Sequence, residues 1–204
     1  MADTPAPRIV FEASEVHRAT TSSTKFASKE EINDSSKDPT QLYARTKLAI
    51  ILGVKYGLLD RVIRPNEDRV FALAVHPGAV RIVPFSSSYQ EFITGTDMMQ
   101  VNTAMQQQWK DAYPGLLGKL ITTAMTTIGR SPEQGSFSAL YAATSPEVEE
   151  KGWNGYYFTD PGQPGKETAQ ASNLGLGAAL WDLSHKMIED KVGEGGMVDW
   201  DVKV

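Results

Sequence analysis

Arg8-Ile9-Val10-Phe11 is a short apolar run after a proline-rich start, and it reads as a strand entering a core. Residues 20–40 turn polar, rich in Ser, Thr, Lys, Asp and Glu with Pro39 among them. They predict a loop with one helical turn, opened by the capping-box pattern Ser28-Lys29-Glu30-Glu31. From Gln41 to Leu59 the apolar positions Leu48, Ile51, Leu52, Leu58 and Leu59 recur at helical spacing, with Ala44 on the same side and no proline inside, which predicts a helix. Pro65-Asn66-Glu67-Asp68 then turns the chain into Val70-Phe71-Ala72-Leu73-Ala74-Val75. Such a run without polar alternation suits a strand buried on both faces, and it stops at His76-Pro77-Gly78.

Residues 81–127 show only helical fragments among Ser, Thr, Gln and Met. Met98, Met99, Met105 and Met125 suit either an adaptable apolar pocket or the ordinary filling of core gaps. Ser131 as N-cap, Pro132 at the first helical position and Gln134 closing a capping box start a helix that runs to about Thr144. Gly152-Trp153-Asn154-Gly155 turns into an aromatic strand, Tyr156-Tyr157-Phe158. A loop follows from Asp160 to Gly165, then an amphipathic helix from Ala178 to Ile188 and a tail over 190–204. Gly175-Leu176-Gly177 follows no strand and reads as the opening of that last helix. Strand and helix alternate, as in an α/β protein with a parallel sheet of about three strands.

Composition narrows the chemistry. The 204 residues carry 20 basic and 25 acidic side chains, a net charge of −5 with no basic block, which argues against a nucleic-acid partner or a polybasic membrane anchor. No cysteine is present, so disulfides, thiolate metal sites and a cysteine nucleophile are excluded. His17, His76 and His185 lie far apart, and a metal site built on imidazole would need all three to converge, so no metal is expected. The N-terminus lacks the cationic and apolar regions of a secretory signal. The longest apolar stretch, Leu48 to Val54, is too short to span a bilayer. A soluble cytoplasmic protein is the expectation. The first of the 17 glycines is Gly53, which excludes a phosphate-cradling glycine loop from the opening third.

Tyr43 and Lys47 stand four apart at the start of the predicted helix, on one face. An ammonium near a phenol favours the phenolate, so the pair is suited to proton transfer near neutral pH. Taken alone, such a pair also arises by chance on exposed helices. The setting is more telling: one strand runs into Ser14 and another ends at His76-Pro77-Gly78. Open parallel sheets bind ligands beyond the carboxyl ends of their strands, where Ser14, Tyr43 and the Pro-Gly turn would gather.

These segments resemble the short-chain dehydrogenase/reductases. The match runs through Arg8-Ile9-Val10 to Ser14-Glu15-Val16-His17-Arg18, through Tyr43-Ala44-Arg45-Thr46-Lys47-Leu48-Ala49 and Val75-His76-Pro77-Gly78-Ala79-Val80, and on to Ala139-Leu140-Tyr141-Ala142-Ala143 with Gly155-Tyr156-Tyr157-Phe158. The long Ser14-to-Tyr43 spacing looks most like the retinol-dehydrogenase and WW-domain-oxidoreductase branch, particularly its fungal members. The resemblance implies NAD(P)-dependent interconversion of an alcohol and a carbonyl on a small hydrophobic alcohol, ketone or aldehyde. It assigns Ser14 to the substrate oxygen and Tyr43 to general acid/base work. Lys47 would lower the Tyr43 pKa and hold the nicotinamide ribose, backbone at Pro77, Gly78 and Val80 would contact the nicotinamide, and residues 81–130 would form a substrate lid.

The family's glycine-rich turn ahead of the serine strand has no counterpart in this sequence. The resemblance therefore implies a partial doubly wound, Rossmann-like sheet whose dinucleotide-binding half is absent, with full activity needing that half. Glu12, Ala13 and Ile82 depart from the family pattern, and Glu12 would be an expensive charge in a strand buried on both faces. A cut sheet leaves an apolar edge at Arg8 to Phe11, which predicts oligomerisation, aggregation or pairing with an N-terminal half. Two other readings stand beside the dehydrogenase. One is a cofactor-independent isomerase, dehydratase or cyclase using Tyr43 and Lys47; the other is a non-catalytic remnant or partner subunit.

Overall fold

The structure is a computed structural model that describes residues 6–78, 130 and 132–193. The expected contact at Val80, nearly all of the expected lid, the cap at Ser131 and the end of the tail lie outside the described residues. The chain divides into two compact units, one of Met1–Pro77 with Phe137–Val204 and one of Gly78–Ser136. The sheet and its covering helices belong to the first unit, apart from the opening turn of one helix.

Four strands form one sheet in the order β1 (Arg8–Glu12), β2 (Phe71–Val75), β3 (Tyr157–Asp160) and β4 (Gln163–Pro164). β1 and β3 both pair parallel to β2, with Glu12 opposite Val75 and Val75 opposite Phe158. This is the expected α/β class with a mostly parallel open sheet. The fourth strand corrects the loop expected at Asp160 to Gly165. Pro161 and Gly162 occupy the centre of a tight turn, Gly162 supplies φ +70, and the chain folds back antiparallel on β3.

The continuous apolar run of β2 is explained by its two covered faces. Ala72 and Ala74 point into a core built with Leu48, Ile51, Leu52 and Tyr157. Leu73 and Val75 point the other way, against Ala142, Val148 and Phe158. The first face carries α2 (Pro39–Leu52) and α5 (Leu174–Val192), and the second carries the later part of α3 (Pro132–Thr144) and α4 (Glu147–Glu150). Asn154 stitches the start of β2 in place: its Oδ1 accepts from Ala72 N–H at 2.9 Å and its Nδ2 donates to the Val70 carbonyl at 2.8 Å.

The polar stretch between β1 and α2 is held by side chains. The helical turn α1 (Lys29–Ile32) is capped by Ser28, whose hydroxyl accepts from Glu31 N–H. Glu31 accepts in turn from the N–H groups of Lys25, Phe26 and Ala27 at 2.8–3.2 Å, and Arg45 donates to the carbonyls of Glu31 and Ile32. Pro39, expected in the loop, is instead the first residue of α2, with Asp38 as N-cap. Glu12 lies at the exposed end of β1, so its charge remains in water and the expected burial cost does not arise.

Beyond Leu52 the helix winds on as a π-helix over Gly53–Ile63, and Arg64 N–H reaches back five residues to the Leu59 carbonyl. Its buried side chains Val54, Leu59 and Ile63 fall at spacings of five and four, wider than an α-helical stripe. Here α5 comes close, and a Cβ on Gly177 would lie 2.5 Å from Tyr56 Cβ. Helix propensity alone favours Gly177→Ala by about 1 kcal/mol, whereas overpacking costs about 1–3 kcal/mol. Packing against a backbone-proximal atom wins, so the expected result is a lower melting temperature; a raised one would mean that the helices separate freely.

Candidate functional site

The register of β1 on β2 brings the chain after Val75 alongside Ala13 and Ser14. Ala13 N–H donates to the Val75 carbonyl at 2.8 Å, and Glu15 N–H donates to His76 Nδ1 at 3.4 Å. The β1 chain then tightens into a short 3₁₀ turn, Glu15–Ala19, for which Ser14 is the N-cap; its hydroxyl accepts from Val16 N–H at 3.2 Å. That bond occupies one lone pair of Ser14 Oγ and leaves its proton and second lone pair for other partners. Ser14 is buried.

Across from it, α2 presents Tyr43 and Lys47. The Tyr43 phenol is half-buried, and the Ser14 hydroxyl is near enough to act on it. Lys47 Nζ donates to the Glu12 carbonyl at 2.7 Å and stands 5.5 Å from the centre of the Tyr43 ring. Ala44 and Leu48, each next in sequence to one of them, are fully buried, which fixes the rotation of α2 and leaves Tyr43 and Lys47 at the margin of its buried face. Ser14, Tyr43 and Lys47 thus come together at the carboxyl end of β1.

The electrostatics of this trio differ from the expectation. Burial raises the Tyr43 phenol above its ordinary range, the Glu12 carboxylate adds to the rise, and the Ser14 hydroxyl opposes it. The expected pull of Lys47 on the phenol is not what sets its value. Lys47 is spent on the Glu12 carbonyl, and burial holds its ammonium below the usual lysine range while Glu12 works against that fall. Burial thus favours the protonated phenol.

Of the residues expected at the nicotinamide, Pro77 ends the stretch after β2. Gly78 belongs to the second unit, where it takes φ +84 and a Cβ would meet the Arg130 side chain. A second group of side chains lies on the far side of Ser14 and was not singled out from sequence. His17 is fully buried, with Nδ1 2.7 Å from the Ser14 carbonyl oxygen. Tyr157 donates its hydroxyl to Glu15 Oε1 at 2.9 Å, and Arg18 Nε donates to Glu15 Oε2 at 2.6 Å. Burial tends to raise the Glu15 carboxyl, but these two bonds outweigh it and hold the group below its ordinary value. The signal for them in sequence was slight: the charged Glu-Val-His-Arg beside Ser14 and one Tyr in an aromatic strand.

Among the described residues no group of three or more His, Asp or Glu side chains is placed to hold a metal ion, and no helix is long and apolar enough to cross a membrane. No family model matches the chain. Over 192 residues it is 20% identical to the short chain dehydrogenase/reductase dpfgH of Gibberella zeae, an alignment that covers 89% of this chain and 46% of that protein. A solved crystal structure of an uncharacterised protein from Mycobacterium paratuberculosis is similar in fold, with a TM-score of 0.50 and 20% identity over 90% of this chain and 51% of the other. The chain spans about half the length of each of these relatives.

Proposed function

We propose that this chain carries the reacting end of a nicotinamide-dependent oxidoreductase of the short-chain dehydrogenase type, acting on a small hydrophobic alcohol, ketone or aldehyde. The observation that carries the reading is the gathering of Ser14, Tyr43 and Lys47 at the carboxyl end of β1, with the Lys47 ammonium on the Glu12 carbonyl at 2.7 Å and 5.5 Å from the Tyr43 ring. The sequence similarity to dpfgH and the parallel sheet support it. The long, side-chain-ordered connection from Ser14 to Tyr43 supports placement in the retinol-dehydrogenase-like branch.

The donor set fits the reacting end of such a cofactor. Lys47 spends one of three ammonium protons on Glu12 and can offer the others to ribose hydroxyls, and Pro77 lies on the backbone stretch assigned to the nicotinamide. A nicotinamide held there by Lys47 would supply the hydride chemistry of an alcohol–carbonyl pair. Ser14 orients the substrate oxygen through its hydroxyl. Tyr43 then gives its phenolic proton to that oxygen in reduction and takes it back in oxidation. The buried setting strengthens both hydrogen bonds and keeps the substrate oxygen away from bulk water. Assays of this reading supply the cofactor at millimolar concentration.

The raised phenol sets a pH signature. Because Tyr43 is held protonated above its ordinary range, carbonyl reduction is expected to stay level through neutral pH and to fall only beyond the usual phenol value of about 10. Alcohol oxidation needs the phenolate and is expected to rise in proportion to hydroxide over the same range. Profiles of kcat/KM in the two directions check this; parallel profiles would remove Tyr43 from the proton transfer.

One observation favours a second reading. Lys47 is tied to the Glu12 carbonyl and not turned outward, which suits a cofactor-independent isomerase, dehydratase or cyclase that uses Tyr43 for proton transfer. Turnover that proceeds with no nicotinamide added would select it. Among the described residues β1 pairs only with β2, and Ile9, Val10 and Phe11 are half-buried. The reading assigns the outer edge of β1 to a further strand, from a second copy or from a complementing segment of the same fold.

A further inference from the structure

His17 is fully buried, and the proton transfer assigned to Tyr43 does not use it. Its Nδ1 meets the Ser14 carbonyl oxygen at 2.7 Å. A carbonyl oxygen only accepts, so the contact selects the tautomer with the proton on Nδ1. Among the described residues Nε2 has no partner. A leucine would fill the space without leaving that buried nitrogen unsatisfied, so packing alone does not account for an imidazole here.

The ring is wedged in place. Tyr157 stands against it edge to face, with centroids 5.4 Å apart and planes at 81°, and the Tyr157 hydroxyl is itself anchored on Glu15. Glu15 is tied a second time through Arg18 and, by its backbone N–H, to His76 at the end of β2. The backbone on the far side of Ser14 is thus pinned through its own carbonyl and through the next residue, while the Ser14 hydroxyl faces Tyr43. The charged and titratable groups acting on His17 are Glu15, Arg18 and Glu167, and burial keeps the ring neutral. Only the neutral ring offers one N–H and leaves the second nitrogen bare.

We propose that His17 is the positioning residue of the site: its Nδ1–H, backed by Tyr157, holds the Ser14 carbonyl and so sets the direction from which Ser14 Oγ meets Tyr43. The consequence for turnover rests on the oxidoreductase reading, whereas the influence of Ser14 on the Tyr43 phenol does not.

Three substitutions separate positioning from packing. An asparagine amide nitrogen is one bond from Cγ, as Nδ1 is, so His17→Asn keeps the donor near its place. His17→Gln carries the donor one atom further, and His17→Leu removes it. Tyrosines labelled at Cζ are titrated by NMR in the full chain, and the Tyr43 signal is identified by its loss in Tyr43→Phe. The expected result is that His17→Leu and His17→Gln raise the Tyr43 midpoint, because the Ser14 hydroxyl that pulls it down is no longer held in place, and that His17→Asn returns it toward wild type. In parallel, kcat with a reduced nicotinamide and an apolar aldehyde is expected to fall on the order of tenfold or more in the Leu and Gln variants and to recover in the Asn variant.

An unchanged midpoint in a folded Leu or Gln variant, or an Asn variant that behaves like Leu, overturns the proposal. If the Leu variant does not fold, the Gln and Asn pair decides alone. A midpoint that shifts as expected in a chain that turns over no nicotinamide leaves the positioning role standing and removes the functional reading. Intact turnover in every variant with no shift removes the positioning role alone.

Discussion

Tyr43→Phe is expected to reduce carbonyl reduction by the chain on the order of 10²–10⁴-fold while leaving it folded. The ring stays, and with it the packing of α2; only the phenolic hydroxyl goes. In the proposed reading that hydroxyl is the proton donor for the substrate oxygen; Ser14 beside it keeps its bond from Val16 N–H when it goes. The folding cost is therefore limited to one hydrogen bond, about 0.5–1.5 kcal/mol. Steady-state rates at saturating cofactor, together with a thermal melt, check both parts. A large loss of activity accompanied by a large loss of stability would mean that Tyr43 is structural.

Phe158→Ala carries the largest expected effect on stability, about 3–5 kcal/mol. Phe158 is fully buried on the α3 face of the sheet, with Trp153 and Tyr141 edge-on at centroid distances of 5.3 and 6.1 Å and with Leu73, Val75, Ala142 and Val148 in the same cluster. Few atoms there can move in to fill the space, since the cluster is braced by β2 on one side and two helices on the other. Domains hold about 5–15 kcal/mol in all, so this one change removes a large share. The loss extends toward the site, because the Phe158 carbonyl accepts from His76 N–H at 2.8 Å and His76 accepts from Glu15 beside Ser14. A shift in the denaturant midpoint with an unchanged slope measures the effect. A change of less than about 1 kcal/mol, of the order of one methylene, would show that the cluster repacks.

The elements that could be read from sequence are those whose signal is local. The unbroken apolar run at β2, the helical spacing of Leu48, Ile51 and Leu52, and the Ser28-to-Glu31 cap each carry their own geometry in a few neighbouring residues. Features decided by contacts between distant segments were not readable. β4 is only two residues long and exists because the Pro161-Gly162 turn lays it on β3. The π-helical winding of Gly53–Ile63 shows in the sequence only as a spacing of buried residues that an α-helical template also partly fits. The reach from Gly177 to Tyr56 depends on how two helices meet.

The candidate site divides along the same line. The nearness of Ser14, Tyr43 and Lys47 is legible because strand ends and helix starts fall at one edge of a parallel sheet, a rule of topology. The sense of the Tyr43 shift is not, because it turns on burial and on which oxygen the Lys47 ammonium meets. His17 and Tyr157 escaped for a related reason. Their relation to Ser14 runs through a backbone carbonyl and through Glu15, a link between β3 and the turn after β1 that no spacing along the chain records.

The central claim is that Ser14, Tyr43 and Lys47 form the proton-transferring end of a nicotinamide-dependent site. The most direct measurement is the oxidation of millimolar NADH or NADPH by the full chain, followed against a panel of apolar aldehydes and ketones, with Tyr43→Phe run beside it. The predicted result is oxidation that depends on both carbonyl and protein and is lost in Tyr43→Phe. No oxidation with either cofactor, or a rate that Tyr43→Phe leaves untouched, would contradict it.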